Sequence, residues 1–254
     1  MATISAVIAT RNEENTITEC LESVKWVDEI VVIDDLSTDK TVEICREFTS
    51  KIYVNDSKGS FHINKNLGID KSKGEWILSI DADERVTIEL SCEIQDIITK
   101  TDNLGFYISR KNYFLGKWIR GNGWYPDYII RLFRRGVTTW PLEIHDVPKI
   151  ARKDKVSYLN NHLIHLSYTS IEQYLDKFSR YTTRLACEEF ERGVRVRRAN
   201  FLSLFFFKPS FWLFRKYVFM RGYIDGFRGF FISVASAITI FMTYAKLWEM
   251  QNKK

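Results

Sequence analysis

Gly74-Glu-Trp-Ile-Leu-Ser-Ile-Asp-Ala-Asp-Glu84 is the stretch on which the fold turns. Trp76 to Ile80 is short, mostly apolar, and contains β-branched and aromatic residues. Such a run predicts a strand covered on both faces, as inside a parallel sheet. It then breaks into Asp81-Ala-Asp83-Glu84, three carboxylates within four residues. Like charges this close raise one another's pKa, and burial raises it further, so the ionised cluster needs neutralising. A divalent cation with hard oxygen ligands would do this; Mg²⁺ takes one or two protein carboxylates and fills its shell with water and substrate phosphates. The stretch therefore predicts a metal–diphosphate site at a strand end. The plain alternative is a strand followed by the acidic first turn of a helix.

Working outward, Ile4-Ser-Ala-Val-Ile-Ala-Thr10 and Glu29-Ile-Val-Val-Ile-Asp-Asp35 predict two more buried strands, and Lys51-Ile-Tyr-Val54 a short third. Helical spacing of Ile17, Leu21 and Val24, then of Val42, Cys45 and Phe48, places helices between them. A further helix is expected around Asn64 to Gly68, and an amphipathic one through Leu90, Ile94, Ile97 and Ile98. Strands alternating with helices predict a parallel sheet with right-handed crossovers, whose ligands lie outside the strands' carboxyl ends. Three such ends here are Thr10-Arg-Asn-Glu13, Asp34-Asp35 and Asp81-Ala-Asp83, so polar residues converge from separate segments. The first strand is followed by no Gly-x-Gly-x-x-Gly and the chain has no Gly-Lys-Ser/Thr, which argues against dinucleotide and P-loop sites.

Beyond residue 105 the pattern changes. Phe106-Tyr-Ile-Ser109 and Tyr128 to Arg134 predict strands of a mixed or antiparallel sheet, separated by a loop rich in Gly, Trp and Tyr. Glu143-Ile-His145-Asp146 follows, offering a general base or, more plainly, a satisfied surface histidine in a turn. From Ser170, apolar positions at helical spacing run to Gly193, the expected stop. Arg192 to Arg198 is basic, Phe201 to Phe214 is aromatic, and Phe230 to Tyr244 is free of charge for 15 residues. That run is short of the ~20 residues of a spanning helix. Residues 151–254 carry 18 Lys and Arg against 8 Asp and Glu, whereas the first 150 carry 19 against 24. Basic residues beside Phe- and Trp-rich segments predict an anchor lying in a membrane interface; the alternative is a helical subdomain burying its aromatics on the rest of the chain or in a dimer. A nucleic-acid partner is not expected, because no recognition motif accompanies the basic excess. Four dispersed cysteines, Cys20, Cys45, Cys92 and Cys187, fit a reducing cytosol, and the first residues have no signal-peptide pattern.

Six pieces of this chain resemble family 2 inverting glycosyltransferases of the GT-A fold, with a nearest look to bacterial enzymes of the lipopolysaccharide or lipooligosaccharide inner core (the β-1,4-glucosyltransferase type). They are Ala9-Thr-Arg-Asn-Glu-Glu14, Val32 to Asp39, Lys65-Asn66, Leu78 to Glu84, Pro126-Asp127 with Arg131-Leu-Phe-Arg-Arg135, and Ile144-His-Asp146. Gly222-Tyr-Ile-Asp-Gly226 resembles the same subgroup less specifically. The resemblance implies an α/β GT-A domain with a mixed, mainly parallel sheet over residues 1–168 (a nucleotide-binding half, 1–104, and an acceptor half, 105–168). A basic, aromatic helical region that associates with membrane would follow over 169–254.

The same resemblance implies Thr10, Arg11 and Glu13 around the nucleotide, Asp35 at the base or ribose, and Lys65 near uracil and phosphates. Asp81 and Asp83 would be the Asp-x-Asp pair, Asp83 ahead of Asp81 as ligand of Mg²⁺ or Mn²⁺. Asp146 would be the base, with His145 a ligand beside it, or the reverse; the family has His-Glu where this chain has His145-Asp146. The donor would be a UDP-sugar such as UDP-glucose and the acceptor a lipid-linked glycan, or else polyprenyl phosphate or a polyprenyl-linked saccharide. The implied location is the cytoplasmic face of a bacterial inner membrane, held by anionic lipid. A non-catalytic membrane-binding module on a nucleotide fold is the reading from another class.

Overall fold

The computed structural model describes residues 2–141, 148 and 150–253. These residues pack as two compact units, one of residues up to 111 with 127–165, the other of 112–126 with 166–253.

The first unit is built on a mixed sheet. Its strands are β1 (Ile4–Thr10), β2 (Glu29–Asp34), β3 (Ile52–Val54), β4 (Trp76–Asp81), β5 (Glu84–Val86) and β6 (Gly105–Phe114). A two-residue β7 (Lys117–Trp118), β8 (Asp127–Arg134) and β9 (Val156–Tyr168) complete it, and β6 and β9 run on into the second unit. The order is β3-β2-β1-β4-β8-β6-β9-β5, with β7 on β6. The first four strands are parallel; β8 pairs antiparallel with β4 and β6, as does β9 with β5. The expected mixed, mainly parallel GT-A-type sheet is what the chain forms.

The two-faced burial that the apolar strands implied follows from alternation. Along β1, Ala6 and Ile8 face a core with Cys20 and Leu21 of α1 (Ile17–Ser23) and Leu90 and Ile94 of α4 (Ile88–Ile97). Val7 between them faces Ile69 of α3 (Phe61–Lys71), Ile77 and Phe133. α2 (Thr41–Arg46) covers β2 through Cys45. α3 lies very close to β1: a Cβ on Gly68 would stand 2.3 Å from a Val7 methyl. That close approach carries Lys65, one turn earlier on the same face, to the end of the sheet.

The second unit is helical: α5 (Ile171–Glu191), α6 (Lys208–Phe214) and α7 (Gly226–Asn252), with π-helical turns at Ser203–Phe207 and Arg215–Phe219. Ser170 caps α5 by accepting from the Gln173 amide, and Gly193 follows it at φ +78°, as its sequence predicts. Gly222-Tyr-Ile-Asp-Gly226 makes the turn into α7. There the buried Asp225 accepts the amides of Arg120 and Gly121, at 3.1 and 2.7 Å, while Asn122 donates to the Gly229 carbonyl. Gly229 is obligatory, since a Cβ would lie 1.8 Å from the Gly222 oxygen.

With its lead-in turn, α7 is long and apolar enough to cross a membrane by length and composition. The sequence estimate stopped at Phe230 and Tyr244 because Arg228 and Lys246 bound the charge-free run. Both charges are accommodated by partners: Arg228 donates to the Phe114 and Leu115 carbonyls, Lys246 to Ser179, Thr182 and Thr183. The latter three belong to α5, a helix studded with Asp, Glu, Lys and Arg. In this packing α7 could enter hydrocarbon only by dragging α5's charges with it.

Candidate functional site

The register sets Thr10 of β1 opposite Asp34 of β2, and Ala9 opposite Asp81 of β4. Three predicted strand ends thus meet at one edge of the first unit. Leaving β1, Arg11 reaches Asp35 at 3.4 Å. Asn12 turns through φ +53°, and its side-chain oxygen accepts the Thr38 amide. Glu13 accepts from the Thr16 hydroxyl and donates its own amide to the Thr41 hydroxyl oxygen, so it braces the loop. Asp35 is buried and receives both the amide and the hydroxyl of Ser57, at 2.8 and 2.9 Å. Two buried polar atoms at this edge, Thr10 Oγ1 and Asp34 Oδ1, have no partner among the described residues.

The acid-rich turn is neutralised largely by the protein's own cations, which the sequence reading assigned to a metal. Asp81 accepts Lys65 Nζ at 2.6 Å on one oxygen and Arg131 Nη2 at 2.5 Å on the other. Glu84 is buried and takes Arg131 at 2.7 Å, Arg110 at 3.2 Å and the Asp81 amide at 3.0 Å. Burial opposes ionisation of Asp81, but Arg131 and Lys65 outweigh it and hold the carboxyl well below its usual range. Burial also disfavours the charge on Arg131, yet Asp81 and Glu84 overcome it and lift its pKa. For Lys65 burial wins over Asp81, and the ammonium titrates below its ordinary value.

Trp140, 4% exposed, roofs this cluster: Lys65 lies 4.0 Å and Arg131 5.5 Å from its ring. Asn66 fixes the roof by accepting the Trp140 amide and donating to its carbonyl. Trp140 is therefore a packing and cation-holding residue. Arg131, 1% exposed, has no partner for Nε and Nη1 among the described residues.

Asp83 points elsewhere. Strand β9 pairs His165 with Glu84, which brings His165 Nε2 to 3.4 Å from Asp83 Oδ2. A carboxylate and an imidazole side by side are donor types that could hold a divalent cation. Among the described residues no group of three or more His, Cys, Asp or Glu is gathered that could hold a metal ion. Sequence reasoning missed His165: it lies far along the chain, and only the β5–β9 pairing reveals it. The predicted His145 and Asp146 lie outside the described residues.

A family model described as "Glycosyl transferase family 2" matches residues 5–148. An uncharacterized glycosyltransferase of Rickettsia typhi is 30% identical over 100% of this chain and 89% of its own length. The lipopolysaccharide core biosynthesis glycosyltransferase LpsC of Rhizobium meliloti is 26% identical over 99% of this chain and 94% of its own. Among solved structures, S. aureus TarS 1–349 in complex with UDP aligns with a TM-score of 0.51 at 17% identity, covering 96% of this chain and 91% of that one.

Proposed function

The chain belongs to the family 2 glycosyl transferases, and on that premise we propose an inverting, metal-dependent enzyme that moves a sugar from a UDP-sugar, glucose foremost, to a lipid-linked glycan. One observation carries the proposal: Asp81, Lys65, Arg131 and the Asp83–His165 pair converge beside Thr10 and Asp35 at the carboxyl ends of the parallel strands.

In this reading Asp35 and Arg11 receive the base or ribose. Asp81 is kept ionised by two cations and so positions Lys65 and Arg131, which would donate N–H groups to a diphosphate. Asp83 and His165 would hold Mg²⁺ or Mn²⁺, which supplies charge neutralisation for the departing diphosphate. Asp146, with His145 beside it, takes the proton of the acceptor hydroxyl as it attacks the anomeric carbon. One displacement inverts an α-linked donor to a β-glycoside. The likeness to LpsC supports a lipopolysaccharide-core acceptor, and the UDP bound by TarS supports the donor class. The basic, aromatic second unit supports attachment to the anionic inner face of a bacterial cytoplasmic membrane.

The test is UDP-, GDP- and dTDP-sugar binding and hydrolysis with Mg²⁺, Mn²⁺ or EDTA, for the unmodified chain, Asp83→Ala and His165→Ala. One UDP-sugar should be selected in a metal-dependent way, and both substitutions should lower kcat by about 10²–10³ and abolish the metal response. Unchanged turnover in Asp83→Ala would sink the reading. Transfer to polyprenyl phosphate with no saccharide present would replace the glycan acceptor.

A further inference from the structure

Phe201-Leu-Ser-Leu-Phe-Phe-Phe207 is too aromatic for a solvent-facing helix, and its backbone departs from α geometry. A π-helical turn, with i to i+5 bonds, spans Ser203–Phe207. Phe205 and Phe206 both gather on Phe201, with ring centroids 4.8 and 6.3 Å away. Leu204 turns the other way, into a core with Ala186, Tyr244 and Leu247. Facing the three phenylalanines are Phe241, Ala245 and Trp248, one stripe of α7 at i, i+4 and i+7. An edge-to-face contact of Phe205 with Phe241, at 5.3 Å, joins the two walls. They enclose a groove of about 460 Å³ lined by those six apolar side chains. That volume is of the order of a small-molecule site, ~300–1,000 Å³.

The surroundings select the occupant. From Arg192 to Arg228 the chain carries nine Lys and Arg and a single acid, Asp225, which is buried and bonded to the Arg120 and Gly121 amides. Arg197 and Arg198 precede Phe201 by four and three residues. Lys208 Nζ donates at 2.8 Å to the Tyr244 hydroxyl, one residue before the groove's Ala245. An apolar slot in a segment where Lys and Arg outnumber acids nine to one complements a molecule with a hydrocarbon chain and an anionic head. A second copy of the chain would bring the same positive field and be repelled. We infer that the groove takes one acyl chain of an anionic phospholipid, whose phosphate meets Lys208 and the preceding arginines. The inference rests on the membrane reading of the second unit only for the source of the lipid.

The test uses the full chain and dioctanoyl phosphatidylglycerol kept below its micelle concentration, read by tryptophan fluorescence and calorimetry. Saturable binding is expected, with none for glycerol phosphate. Ala245→Trp, which fills the slot, and Phe206→Asp, at its exposed lip, should each weaken it about tenfold or more. Circular dichroism checks that each variant folds, and Phe206→Asp stands in if Ala245→Trp does not. Sedimentation with phosphatidylglycerol vesicles runs in parallel. Vesicle binding without saturable binding of the monomeric lipid overturns the groove and leaves the membrane reading intact. Monomer binding without vesicle binding supports the groove and removes the membrane reading. Tighter binding of farnesyl phosphate, or concentration-dependent dimerisation abolished by Ala245→Trp, overturns the acyl-chain assignment.

Discussion

Asp81 and Asp83 are separated by one alanine, yet their surroundings have little in common. Asp81 has a cation on each oxygen, while Asp83 faces an imidazole. Removing one partner of a buried ion pair costs about 3–5 kcal/mol, because the other charge is left stranded. Asp81's side chain is 30% exposed, so Asp81→Asn should cost less, about 2 kcal/mol. Arg131→Met takes a cation from both Asp81 and the fully buried Glu84, leaving Lys65 and Arg110 as their remaining ones, so its cost belongs at about 3 kcal/mol. The pH dependence has a definite sign. The folded pKa of Asp81 is depressed, so its contribution is complete above the unfolded value of ~3.9 and drains as pH falls toward the folded one. Urea unfolding of wild type and Asp81→Asn should therefore show a gap at neutral pH that narrows below about pH 4. A gap independent of pH would mean that Asp81 does not stabilise the fold as a carboxylate.

Among the elements, the second unit hinges on the turn into α7. The carboxylate of Asp225 and the Ser233 hydroxyl, bonded to Asn122 at 2.6 Å, tie the 120–122 loop to that turn. Gly229→Ala pushes a methyl into the Gly222 carbonyl and should cost about 3 kcal/mol, at the upper end for overpacking. A melting temperature within a degree or so of wild type would show that the turn can yield. The Gly222–Gly226 motif was visible in the sequence, but its purpose was not, because the amides it serves lie about a hundred residues away. Strand β4 was readable to its last residue: an apolar run ending in acids has few other interpretations. β9 was not, although it delivers His165. Its Asn160-Asn161-His162 centre lacks strand propensity, and the pairing is stabilised from outside by Glu93, which accepts the amides and side chains of both asparagines. The three carboxylates of the acid turn were legible too. The identity of their counter-charges was not, since Lys65, Arg110 and Arg131 come from α3, β6 and β8.

For the whole molecule, the question is how the chain meets its acceptor. Cutting the chain near Gly193 would be a poor probe, since the 112–126 segment packs with the residues removed and its amides would lose Asp225. Point changes on the exposed aromatic face avoid this. Phe207 and Phe219 are 69% and 72% exposed, so replacing them should leave the fold alone. Transfer of one phenylalanine from water into an apolar phase is worth about 1.5–3 kcal/mol. Phe207→Asp with Phe219→Asp should therefore weaken sedimentation with phosphatidylglycerol vesicles by at least about a hundredfold, while UDP-sugar hydrolysis in solution stays within about twofold. Salt should weaken the wild-type interaction as well, because the cations between Arg192 and Arg228 act through a field screened over ~8 Å at physiological ionic strength. If the double variant sediments as wild type does, with the same salt response, the attachment is electrostatic alone. If hydrolysis falls along with vesicle binding, the aromatic face takes part in holding the donor site together, and its exposure is not that of a membrane anchor.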